Sequence, residues 1–153
     1  MAKCLAAWGI CLALGAGMAP AHAEVSPQEA KDMVQQQSFK LVELMYTLKR
    51  DGADARTTTM GAAVLLHMTA RFAHLADLDE LAKVVKDPAA RIVLEERWDA
   101  LQNDVNSMCL LEPESLENIS KTTSNGKVVA EIKASRKVLE AACQAAYAKL
   151  PGK

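Results

Sequence analysis

His67, Arg71 and His74 stand at steps of four and three within a stretch patterned like a helix. Histidines so placed on a bundle helix are candidates for metal or haem ligation. Seven residues of helix rise about 10.5 Å, which is too far for both imidazoles to hold one ion. The Glu-x-x-His pattern of di-iron bundles is missing too, because Val64 and Arg71 occupy the glutamate positions. No metal is therefore assigned. The simplest reading is two histidines at a helix boundary with Arg71 partly exposed between them. If this stretch binds anything, His67, Arg71 and His74 are the residues to do it.

The other chemistry-bearing residues give less. Met33, Met45, Met60, Met68 and Met108 carry thioethers that could ligate haem iron or Cu(I). They are scattered over several helical stretches without a Met-x-x-Met pair, and read as gap-filling core residues. The haem-attachment motif C-x-x-C-H is absent, since the sequence from Cys143 reads Cys-Gln-Ala-Ala-Tyr. No cofactor is expected. H-E-x-x-H, G-x-S-x-G, a glycine-rich phosphate loop and C-x-x-C are all missing. The acidic groups Asp77/Asp79/Glu80 and Glu95/Glu96 read as solvated surface, because adjacent helical residues point different ways.

Where the chain works is more legible. Lys3, a mostly apolar run from Cys4 to Met18, Pro20, and Ala21-His22-Ala23 together make a secretory signal with a small-x-small cleavage site. The expectation is a cleaved segment, 1–23, followed by one helical domain, 24–153. The apolar run falls short of the ~20 residues that span a bilayer, and no later segment is apolar enough, so the mature chain has no membrane span. The short, alanine-rich signal points to a bacterial periplasm, with true secretion as second choice. Cleavage leaves two of the four cysteines, Cys109 and Cys143, and an oxidising compartment favours their disulfide.

Composition agrees with a folded, helical globular protein. Half of the 153 residues are hydrophobic, 24% are charged and the net charge is −1, which excludes a disordered polar chain. Near-neutral charge and 4% aromatics argue against nucleic acid as a partner.

The elements that position these residues follow from apolar periodicity. Ser26-Pro27-Gln28-Glu29 is a capping box opening a first helix over about 27–50, with Gly52 in the left-handed closing position. Phe39, Val42 and Tyr46 widen its buried face. A second helix starts between 54 and 59 and carries Gly61, Leu65, Met68, Phe72 and Leu75 inward, with a break or bend expected near 77–80. Asp87-Pro88 opens a third, with Leu94, Trp98, Leu101, Val105 and Met108 inward, which Glu112-Pro113 should end. The polar stretch 112–126 then reads as a long connection with at most one helical turn at 116–119. A fourth helix runs on to Pro151-Gly152. The fold expected is all-α, a four-helix bundle of amphipathic helices roughly 20–25 residues long.

The disulfide constrains this topology. If the third helix stops at 112, a simple antiparallel hairpin puts Cys109 and Cys143 over ~20 Å apart along the axis. A disulfide needs Cα atoms within ~7 Å. Either the bond is absent, or 112–126 forms a crossover that makes the last two helices parallel.

The function these readings favour is an exported interaction module of inhibitor, immunity, adaptor or chaperone type, without catalysis. Its partner would be another envelope or exported protein. The alternative is a ligand- or metal-binding bundle that uses His67 or His74 with a methionine from a neighbouring helix.

Overall fold

A computed structural model describes residues 24–50 and 52–152. The expected signal segment, 1–23, lies outside the described residues, as does Asp51. The chain forms α1 (Pro27–Tyr46), α2 (Ala53–Val84), α3 (Pro88–Ser120) and α4 (Gly126–Ala142), followed by a short 3₁₀ segment, Cys143–Tyr147. It is an all-α four-helix bundle, with no strand among the described residues.

The helix starts are the ones their capping residues dictate. Ser26 Oγ accepts from the Glu29 amide at 3.2 Å, and the Glu29 carboxylate accepts from the Ser26 amide at 2.9 Å, completing the capping box. Asp87 accepts from the Ala90 amide at 2.8 Å ahead of Pro88.

The helix ends depart from expectation. Gly52 has φ −81° and serves as the N-cap of α2, while α1 stops earlier, at Tyr46. Helix α2 is unbroken through 77–80, because Phe72, Leu75, Ala76 and Ala82 carry one buried stripe across that stretch. A helix of this length does not stand unmatched: α2 has 32 residues and α3 has 33, so the long helices pair with each other.

The largest correction concerns Pro113, which does not end α3. It is buried inside the helix, and the inward stripe continues beyond it through Leu116 and Ile119 to Ser120. A proline in a helix interior forfeits one backbone hydrogen bond and costs ~3 kcal/mol or more. Burial of Leu116 and Ile119 offsets that cost, at about 1.5–3 kcal/mol per large aliphatic side chain. The long polar connection shrinks to 121–125, and no crossover exists. Beyond Cys109, α3 climbs about three more turns to Ser120, and α4 then descends alongside it from Gly126 to Ala142. The cysteines therefore meet in an antiparallel pair, with Cα atoms 5.7 Å apart and the disulfide formed. Antiparallel order also shows in the Arg136–Glu117 ion pair at 3.0 Å, and in Gln102 donating to the Ala148 carbonyl further down.

Helix α4 has only 17 residues, so it runs out well before α3 does. The 3₁₀ segment and the chain after it cover the remainder of α3. Ala145, Ala146 and Leu150 are buried there, and Arg91 donates to the carbonyls of Ala82 and Pro151, fastening the tail to the α2–α3 turn. At mid-bundle, Gly61 lets three helices approach: a Cβ there would lie 3.3 Å from Leu41 of α1 and 3.5 Å from Ile132 of α4. Gln37, buried beside them, donates to Glu131 at 2.6 Å and to Ser135 at 3.2 Å.

The opposite end is closed by Asp54, in the first turn of α2. Its carboxylate accepts from the Thr123 hydroxyl and, at 2.8 Å, from Asn125 Nδ2. Asn125 in turn caps α4 through the Lys127 amide at 3.1 Å. The Thr123 hydrogen bond first, and then that of Asn125, holds the Asp54 carboxyl below its ordinary value. A carboxylate with a depressed folded pKa contributes stability above its unfolded pKa and loses it as pH falls through the folded value. Asp54→Asn should therefore shrink the drop in thermal midpoint between pH 7 and pH 3 relative to the parent protein. Equal drops in both would show that Asp54 has no share in acid sensitivity.

Candidate interaction site

The structure brings His67, Arg71 and His74 onto the side of α2 that faces α3, the first two opposite different carboxylates and the third beside an open cleft. His67 Nδ1 lies 3.9 Å from the Glu112 carboxylate, a pair that is ionic only when the imidazole is protonated. Arg71 Nη1 lies 3.2 Å from Asp104. His74 is exposed and lines an open cleft of about 540 Å³ with Asp77, Leu78, Arg97, Ala100, Leu101 and Asp104. The three residues thus mark successive levels of one α2–α3 seam and do not converge on a point. Among the described residues no three His, Cys, Asp or Glu side chains gather as a metal site requires.

The physics of the seam is that of a partly solvated interface. Arg71 and Asp104 are about one-third and one-half exposed, so their pairing is worth ~0–1 kcal/mol and does little to hold the bundle together. Leu78 and Leu101 sit only partly buried at the floor of the cleft, against the core. Charges of both signs ring that floor: Asp77 on α2, and Arg97 and Asp104 on α3, with Arg71 reaching Asp104 from α2. Arg97 and Ala100 were not singled out from sequence. Their signal was available, since they flank the inward stripe Leu94–Trp98–Leu101 on the side that an α2–α3 hairpin must present to α2.

Several apolar residues expected inside stand outside. Phe39 and Tyr46 do not widen the buried face of α1, being 54% and 79% exposed. Met60 is half exposed, so it is not core, whereas Met68 is fully buried. On α3, Leu110 and Leu111 are 72% and 64% exposed. They lie just beyond the level of the disulfide, where α3 has α4 on one side and α2 on the other. No helix among the described residues is long and apolar enough to cross a membrane. No family model matches the chain, and no curated protein and no solved structure was found similar to it.

Proposed function

We propose that this chain is a periplasmic interaction module, exported through residues 1–23, that acts by docking another envelope or exported protein and not by catalysis. Inhibitor, immunity, adaptor and chaperone roles all fit that description. The observation that carries the reading is the α2–α3 cleft. An apolar floor of Leu78, Ala100 and Leu101, ringed by Asp77, Arg97 and His74, offers an anchor pocket with a polar rim. Charges of alternating sign around such a pocket select among partners more than they add affinity. The Cys109–Cys143 disulfide fits an oxidising compartment, which supports export.

The test is capture from an envelope extract on immobilised protein, with Ala100→Arg as the comparison. Ala100 is exposed on α3, so an arginine there fills the cleft without entering the core. The expected result is a partner retained by the parent and lost by Ala100→Arg, with circular dichroism unchanged. Equal capture by both proteins would remove the cleft from the reading. Metal analysis of the same preparation separates it from a metal-binding bundle built on His67 or His74.

A further inference from the structure

A second groove lies at the other end of α2, where the α1–α2 turn closes the bundle. Its walls are Met45, Tyr46 and Leu48 from the end of α1, and Ala55, Thr59 and Met60 from the start of α2. Its volume of about 570 Å³ falls within the range of small-molecule sites, ~300–1,000 Å³. The lining is mostly apolar and rich in sulfur. Met45 Sδ rests 3.2 Å from the Thr59 hydroxyl, while Met60 and Tyr46 stand largely in solvent. Methionine is the side chain that best adapts its shape to an apolar guest.

Two guanidinium groups, Arg50 and Arg56, complete the lining, and neither is paired with a carboxylate among the described residues. Both arginines stand at the same end of the bundle, one at each wall of the groove. Cations lining an apolar depression call for a guest with an apolar body and an anionic end. Arginine suits that end because its planar fork matches carboxylate, sulfate and phosphate oxygens. The groove is concave and open on one side, a shape on which a single chain can lie. Insertion into a bilayer would instead need an apolar protrusion.

We propose that this groove binds single-chain amphipathic anions, with the chain on the Met45/Leu48/Met60 floor and the head group held by Arg50 and Arg56. The inference is independent of the docking function, since it uses a different pair of helix surfaces and a different chemistry.

The purified protein, labelled with ¹³C at its methionine methyl groups, tests this by titration with dodecanoate below its micelle concentration. Saturable shifts are expected for Met45 and Met60, while the fully buried Met68 serves as an internal reference. Dodecyltrimethylammonium, with the same chain and the opposite charge, should bind about tenfold more weakly, the scale of a lost charge-assisted contact. The Arg50→Gln/Arg56→Gln double variant should lower dodecanoate affinity by a similar factor and leave that of the cationic amphiphile equal or higher, because repulsion from the two guanidinium groups is gone. Equal affinity of the parent for both amphiphiles would overturn the proposal. So would unmoved Met45 and Met60 resonances, or a response confined to phosphatidylglycerol vesicles.

Discussion

Replacing Trp98 with alanine should cost about 3–5 kcal/mol, the usual range for removing a buried aromatic side chain. Domains of this kind are stable by only about 5–15 kcal/mol in total, so the variant should stand near the edge of folding. The reason lies in where Trp98 sits. It is 1% exposed, on the part of α3 that α4 no longer reaches, and borders Gln102, Ala146 and Leu150. The tail residues that share a surface with it include two alanines, Ala146 and Ala148, beside Leu150. Alanine side chains cannot expand into the volume an indole vacates, so Leu150 alone among these tail residues could fill part of the cavity. The measurement is urea denaturation followed by far-ultraviolet circular dichroism. A second readout is local, because the tail after Cys143 owes its anchorage to Trp98 and to the carbonyl contacts of Gln102 and Arg91. Limited proteolysis of Trp98→Ala should therefore cut first after residue 143. An unchanged denaturation midpoint would mean that the indole is not part of the core.

Trp98 also shows what the sequence makes legible. Its place midway along the stripe Leu94–Trp98–Leu101–Val105 identifies it as buried without any structure, because the period of a helix dictates which residues share a face. The same reasoning places Phe72 and Leu139 inside. It fails for Phe39, Tyr46 and Met60, where the chain offers more apolar residues than one face can bury. Residue type alone does not say which of them lose that competition. The ends of α2 and α3 were harder still. Pro113 is a local signal to stop, and Leu116 and Ile119 are a tertiary signal to continue. Only the presence of a partner helix, here α4, decides between them. The α2–α3 seam was half visible. His67, Arg71 and His74 could be placed on one side of a helix, but their partners Glu112 and Asp104 depend on the register between two helices, which periodicity does not encode.

Removing the Cys109–Cys143 disulfide should cost about 3–4 kcal/mol in the chain-entropy account, for a sequence separation of 34. The bond closes a loop made of the upper part of α3, the 121–125 turn and all of α4, so in the unfolded chain it restricts a quarter of the molecule. In the folded chain it stands at the last residue of register between α3 and α4, where the α-helix gives way to the 3₁₀ segment. Everything below it, from Ala145 to Leu150, is held by buried Ala145, Ala146 and Leu150 and a few carbonyl contacts. Loss of the bond should therefore act in two ways: a lower denaturation midpoint for the whole bundle, and faster hydrogen exchange concentrated in residues 143–152. Cys109→Ala/Cys143→Ala supplies the comparison. Its stability should match that of the reduced parent, and a reductant should leave it unchanged. Thiol titration of the denatured parent should find neither cysteine free until reductant is added. If both thiols titrate beforehand, or if the double variant is as stable as the oxidised parent, the bond contributes nothing to stability. The tail would then be held by Trp98, Gln102 and Arg91 alone.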